Sequence, residues 1–532
     1  MKKRICRVLA LCLVVCLLLS GCQAIGEYFS VMGSLLMGGS AYRFSDMNYV
    51  RPDLERFQAE LDACCLAAET ERDLQKLLDQ IYAFYTVFDE ICTAQALSMI
   101  HYSKNMADAY WEAEYQFCSA LDGEMTAGLD RLYRALAKSP LRPQLEGEAY
   151  FGADFFVAYE GESLYDEAFC AMLAQESQLQ NQYLALYATI GQMEQAAFLE
   201  NHAETLAEVL AQLVILRRQM AEYAGYDSYP EFAYEFYHAR DYTPAQTTAY
   251  LADIRAELVP LFQQIAEKKP EITLYSCTQT DTYAYVRQTA NGLGGTFLQA
   301  FWLMEQSGLY DIAAGEEKYA GSFEVYIADY QVPYVFVSPT ETEYDKLTFA
   351  HEFGHFCNDY ASYGGQVGVD VAEVFSQGTE YMSLLYGPAD ANLTKLKMLD
   401  GLCVYVEQGA LASFEQQLYT LAEEELNAQG MQALYSRVCT SFGLEGSMEY
   451  VLVPHFYTSP LYVISYVVSN DAALQIYQME QAATGTGRKC LEESLYTSQG
   501  YFQAFLEEAG LKSPFAAGRL AEVKQMLQQI LQ

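Results

Sequence analysis

Two of the six histidines in this 532-residue chain stand four apart, in His351-Glu352-Phe353-Gly354-His355, and that spacing constrains the local fold more than any other feature. An α-helix places residues i and i+4 on one face, where both imidazoles reach a single metal ion. The glutamate sits about 100° round the same helix, placed to hold the water that completes the ion's shell. Two ligands leave such a site incomplete, because a catalytic centre usually takes three protein ligands and a water. The other four histidines are distant in sequence, so a carboxylate is the expected third ligand. Asp370 to Glu380 reads as a second helix, and Tyr363-Gly364-Gly365 supplies a turn that folds it back on the first. Glu373 is the expected third ligand. Gln377 and Glu380 lie one and two turns further along that face, as groups that orient a ligand or its neighbour. Zinc suits these donors, and cobalt or manganese could occupy the same site.

The surrounding pattern is helical. From Arg51 to about Ile265, apolar residues recur at three- and four-residue spacing, as in Leu74, Leu77, Leu78, Ile81 and in Leu206, Val209, Leu210, Leu213. Pro140, Pro143 and the segment from Phe151 to Gly161 punctuate the run with a turn or a short strand. Just upstream of the histidines the period changes. Phe323, Val325 and Ile327 alternate, and Tyr334 to Val337 follow after Gln331-Val332-Pro333, which predicts two strands or a hairpin. The fold class is therefore mainly α with one small β-sheet, and the chain is long enough for a large core.

The beginning of the chain reads as a targeting segment. Lys2, Lys3, Arg4 and Arg7 precede an apolar run from Val8 to Leu19, too short to span a bilayer comfortably. Leu19-Ser20-Gly21-Cys22 is similar to a bacterial lipobox, in which Cys22 carries the lipid and becomes the N-terminus. The expected divisions are a signal peptide at 1–21, a flexible tether at 22–45, a helical region at 46–223 and a catalytic region at 224–532. The expected location is the outer face of a bacterial cytoplasmic membrane. Without the four basic residues of the signal, 27 basic face 70 acidic residues, a net charge of −43. Such a surface argues against binding nucleic acid or anionic lipid, which needs basic patches. The ten cysteines from Cys64 to Cys490 show no paired spacing and sit mostly in apolar helical pattern, so they are expected to be reduced core thiols.

The pentapeptide is a zinc-peptidase signature. With Glu373 eighteen residues after His355, within Ala-Glu-Val-Phe-Ser-Gln, it resembles the M3 family of zinc oligopeptidases, the thimet oligopeptidase and oligoendopeptidase F group. Ala224-Gly225-Tyr226 and Arg240-Asp241-Tyr242-Thr243-Pro244 resemble the helical stretch before the family's catalytic core. Lys318 to Ser322, with Phe323 to Val337, resembles its Gly-containing strands, and the likeness runs from about Ala224 to Asn470. Pro454-His455-Phe456-Tyr457, continuing to Tyr466, looks like the element that closes over the substrate. The resemblance implies that His455, Tyr462 and Tyr466 donate hydrogen bonds to the substrate carbonyl and the oxyanion, a role that suits a phenol or imidazole N–H near zinc. Two positions depart from the family. Asn358 stands where many members have another histidine, and Thr458-Ser459-Pro460 replaces a Gly-rich loop, which leaves the choice of oxyanion tyrosine open.

The resemblance further implies a zincin-type metallopeptidase with one zinc ion and a deep substrate channel that admits short peptides. Internal bonds would be hydrolysed with Glu352 taking the water's proton and passing it to the leaving amine. The peptide backbone would pair with the edge strand near Ser322 to Ile327. Two other readings compete. A zinc carboxypeptidase of a related clan would need a cationic group for the C-terminal carboxylate, and no basic cluster marks one. A non-catalytic peptide-binding lipoprotein would have no need of Glu352.

Overall fold

Aspartates start the first helices. Asp53 accepts a hydrogen bond from the Arg56 amide and opens α1 (Leu54–Thr70), and Asp73 does the same for Gln75 at the head of α2 (Leu74–Lys104). Each cap satisfies an amide that the helix leaves without a partner. The computed structural model describes residues 42–147, 150–190, 194–268, 273–365 and 367–531. The expected signal peptide, Cys22 and all but the end of the expected tether lie outside the described residues. Helix α3 (Asp122–Ala137) lies against α1 at Gly128, where a Cβ would come within 2.9 Å of the Phe57 ring. Phe57, Leu77, Phe84, Leu129 and Leu132 form a core of their own. The segment from Phe151 to Gly161 closes it with a 3-10 turn, Phe155–Tyr159, and not a strand.

The next two helices belong elsewhere. Phe169 and Tyr183 of α4 (Glu167–Tyr187), with Leu206 and Leu213 of α5 (Gln195–Tyr223), are buried in a second, larger cluster that also holds Phe353, Phe375 and Tyr457. The two cores share α2, whose Leu77 and Phe84 lie in the smaller one and whose Ala96 and Ile100 lie in the larger. Periodicity shows that a helix has an apolar face, but not which core that face meets.

Among the described residues three strands form one sheet, with the last in chain order in the middle. The expected hairpin is β2 (Phe323–Ile327) and β3 (Val332–Phe336), antiparallel with Phe323 opposite Phe336 and joined through the 3-10 turn Ala328–Tyr330. The two-residue β1 (Tyr310–Asp311), parallel to β3, is too short to leave a periodic signal. β2 forms one edge of the sheet, the expected place for a substrate strand.

Four further helices frame the metal motif. α6 (Tyr344–Ser362) carries it, and Tyr363 and Gly364, both at positive φ, turn the chain back. α7 (Val369–Tyr386) then packs between α6 and α9 (Ile464–Ala482), with α8 (Ala391–Cys403) alongside. Among the described residues the cysteines from Cys64 to Cys490 are mostly core groups, seven of the ten buried.

Candidate metal centre

Gly354 decides how closely α6 and α7 approach. A Cβ at that position would stand 2.5 Å from the Phe375 carbonyl oxygen and 2.6 Å from Ser376 Cα, both backbone atoms of α7. Only glycine permits this contact, and the contact brings Glu373 beneath the two histidines. The ligating atoms of His351, His355 and Glu373 lie within 4.8 Å of one another. Glu373 Oε2 is 3.4 Å from His351 Nε2 and 3.8 Å from His355 Nε2. Those separations are long for hydrogen bonds, but they fit donors around one ion. A tetrahedral zinc with bonds of about 2.0–2.1 Å sets its donors about 3.4 Å apart. The residues present therefore fit zinc.

The imidazoles keep about a fifth of their side-chain surface exposed (20 % and 18 %), while Glu373 is sealed beneath them at 2 %. His351 Nδ1 meets Glu380 Oε1 at 2.8 Å, which leaves Nε2 for the ion. Burial alone would depress the His351 pKa, but the Glu380 hydrogen bond and the charges of Glu373, Glu380 and Glu352 outweigh it and raise it to about 9. Burial holds His355 well below the usual imidazole range, and the charge on His351 pushes the same way. Both effects describe the three donors by themselves. Glu352 is buried beside the cluster, and desolvation lifts its carboxyl to about 7, with His351 opposing and Glu373 and Glu380 assisting. A carboxyl titrating there is suited to exchanging protons near neutral pH.

His455 comes from the short helix His455–Thr458, Tyr462 from the loop after it and Tyr466 from α9. Tyr462 donates to Glu373 Oε1 at 2.6 Å, so its hydroxyl is engaged with an expected metal ligand. Tyr466 Oη lies 3.1 Å from His455 Nε2. The three rings pack at centroid separations of 5.3–5.7 Å. Burial raises the pKa of both phenols well above 10 and lowers that of His455, so the tyrosines remain protonated donors and the imidazole neutral. All seven residues singled out from the sequence thus meet in one place. Gln377 reaches a neighbour of the donors and not a donor. Its amide donates to the Tyr466 carbonyl at 3.1 Å and to Ser469 at 2.9 Å, so it ties α7 to α9 and orients no ligand directly. Asn358, where the family often has histidine, turns to the Leu495 carbonyl at 3.2 Å.

Sequence reasoning missed the frame behind the distal loop. Arg217 is fully buried, paired with Glu176 at 2.6 Å, and donates to the carbonyls of Phe456 and Tyr457 within the short helix that precedes the loop. Arg240 pairs with Asp370 and donates to the Leu461 carbonyl at 3.0 Å. His238 Nε2 reaches the Pro460 carbonyl at 2.7 Å, and Glu415 accepts from the Leu461 amide at 2.6 Å. Leu461 is left-handed, at φ 63°, an uncommon conformation for a residue with a Cβ. These fixed partners hold it there, where the family's glycines would adopt it freely. Only Arg240 had a signal, within Arg-Asp-Tyr-Thr-Pro. A cavity of about 830 Å³ lies between α1, α3 and α4, and none of the metal-centre residues lines it.

A mostly helical fold with a small sheet beside a helix that carries the two histidines is that of the zincin-type metallopeptidases. Residues 44–162 match the family model described as the peptidase M3 N-terminal domain, the stretch that holds the smaller core. A solved structure described as an oligoendopeptidase F superposes with a TM-score of 0.83 at 20% identity, covering 92% of this chain and 99% of that one. PZ peptidase A, solved with an inhibitor, gives 0.83 at 18% identity over the same shares. A structure described as an oligoendopeptidase F from Bacillus anthracis str. Ames gives 0.77 at 19%, over 93% of this chain and 98% of that one. No curated protein matches the sequence. Residues 44–162 thus match the M3 N-terminal domain, and the chain has the fold of the oligoendopeptidase F structures, as the resemblance implied.

Proposed function

We propose that the protein is a zinc-dependent endopeptidase that cuts internal bonds of short peptides. The observation that carries this reading is the convergence of three candidate zinc donors within 4.8 Å of one another, a buried carboxyl beside them and the hydrogen-bonded pair of His455 and Tyr466. His351, His355 and Glu373 would hold the ion, which when bound supplies Lewis acidity to the scissile carbonyl and its attacking water. Glu352 accepts the water's proton and returns it to the departing amine. Tyr466 is the donor for the oxyanion: the neutral His455 donates its Nε2–H to the Tyr466 oxygen and leaves that hydroxyl's proton free, whereas the Tyr462 hydroxyl is already committed to Glu373. The outer edge of β2, which has a strand neighbour on one side only, would offer main-chain pairing that reads a peptide largely regardless of its side chains. A deep channel restricting substrates to short peptides belongs to the same proposal. So does a lipid anchor on Cys22 at the outer face of a bacterial membrane, which rests on the sequence of the first 22 residues.

The test is cleavage of a mixed-sequence library of short peptides by the purified full chain, with products read by mass spectrometry. Internal cuts that vanish in Glu352→Gln, with zinc still bound, are expected. Release of single C-terminal residues would refute the endopeptidase reading, and no cleavage by the zinc-loaded protein would refute the peptidase reading altogether.

A further inference from the structure

Given the metal reading above, on which it rests, we infer that Lys397 is a positioning residue for the metal, acting through Glu380 and His351. Lys397 lies on α8, 24 residues beyond Glu373 in the chain and outside every motif the sequence offers. Its side chain is 1 % exposed. An ammonium so deeply buried is tolerated only where its N–H groups are matched, and those of Lys397 are. Nζ lies 2.7 Å from Glu380 Oε2 and 2.9 Å from Asp400 Oδ2, and stands 4.7 Å from the centroid of the Tyr381 ring.

Glu380 joins this ammonium to the metal centre. Its Oε2 takes Lys397 and its Oε1 takes His351 Nδ1 at 2.8 Å, so one carboxylate is fixed from both ends. A carboxylate held by a single partner would swing about its side-chain torsions. Held by two, it aims its free oxygen at Nδ1 and so fixes both the tautomer and the ring plane of His351. The far end of the relay returns to the motif's own helix. Asp400 accepts from the hydroxyl of Tyr344, which is two turns upstream of His351 on α6. The chain Tyr344–Asp400–Lys397–Glu380–His351 therefore leaves α6, passes through α8 and α7, and comes back to α6. It sets the rotation of the ligand helix as well as the direction of one ligand. Among the described residues neither His355 nor Glu373 has such a relay to α8, so the dependence on Lys397 is specific to His351.

The test is zinc affinity of the purified full chain, read by competition with a chromophoric chelator, together with the visible spectrum of the cobalt-loaded protein. Thermal unfolding of the metal-free forms separates loss of fold from loss of site. Lys397→Met should weaken zinc binding about 10- to 100-fold and shift the cobalt bands as Glu380→Gln shifts them. Wild-type affinity and spectrum in a folded Lys397→Met would overturn the inference while leaving the metal reading intact. Should Lys397→Met fail to fold, the double variant Glu380→Gln/Lys397→Met removes both charges and is compared with Glu380→Gln alone. Equal affinity and spectrum are expected, since Lys397 acts only through Glu380. A further tenfold loss in the double variant would overturn that route. A wild-type chain that binds no zinc would overturn the metal reading and this inference together.

Discussion

Gly354→Ala puts two well-known effects in opposition, and the structure says which wins. Alanine is the better helix former by about 1 kcal/mol in a helix interior. On an isolated helix the substitution would therefore stabilise. Here the new methyl would sit 2.5 Å from the Phe375 oxygen and 2.6 Å from Ser376 Cα, where ordinary contact begins at 3.4 Å. Both obstacles are backbone, so no side chain can turn aside, and α6 and α7 must part by about 0.9 Å to restore contact distance. Overpacking of this kind costs about 1–3 kcal/mol, enough to reverse the propensity gain. The displacement also carries Glu373, two residues before Phe375, away from the histidines. The 3.4 Å gap between His351 and Glu373 then opens toward about 4 Å, away from the roughly 3.4 Å at which tetrahedral zinc sets its donors. Thermal unfolding of the metal-free chain and zinc titration against a chelator measure the two consequences separately. Lower stability and at least tenfold weaker zinc binding are expected. A stabilised Gly354→Ala with wild-type zinc affinity would refute the claim that close approach of these helices assembles the site.

Other substitutions divide the labour within the site. Tyr466→Phe should lower kcat about 10²–10³-fold, the usual cost of losing an oxyanion donor, with zinc affinity kept. Tyr462→Phe should instead weaken zinc binding, because it frees Glu373 Oε1, and the reverse pattern would exchange the two assignments. Removing zinc with a chelator should lower the unfolding temperature and re-addition should restore it. At a hundredfold excess of zinc over Kd the gain is about 2.7 kcal/mol, and His351→Ala should show almost none of it. Burial lifts Glu415 to about 8, against the opposing pull of the Leu461 amide and of Arg217 and Arg240. Its folded pKa lies above the unfolded value, so the stability it contributes is full at acid pH and is lost as pH rises toward 8. Glu415→Gln keeps an acceptor for the Leu461 amide and removes the proton. Its stability relative to wild type should therefore climb between pH 5 and pH 8, by at most about 1.4 kcal/mol per unit. A flat difference across that range would refute the assignment.

How much of this was legible in the sequence depended on whether the information was local. The His–Glu–x–x–His spacing fixes its own helix, and a glycine turn followed by Glu373 fixes the fold-back, so the donors could be named before any coordinates. The alternation in β2 was readable for the same reason, whereas β1 has two residues and owes its existence to β3. Gln377 shows where local reasoning stops. Its helical face was read correctly, but α9 reaches that face first and takes its amide. The buried cations are the sharper case. Arg217, Arg240 and Lys397 each look like solvated surface charges in an acidic chain, because nothing within a few residues shows that a carboxylate 41, 130 or 17 positions away will be buried with them. Burying a charge is costly unless it is fully paired, so each of these contacts makes sense only once the whole fold has brought the partners together. That cost is also a reason to look there for function. The three cations hold in place Tyr462's loop, its carbonyls and His351, the parts of the site whose aim matters most and whose own sequence cannot set it.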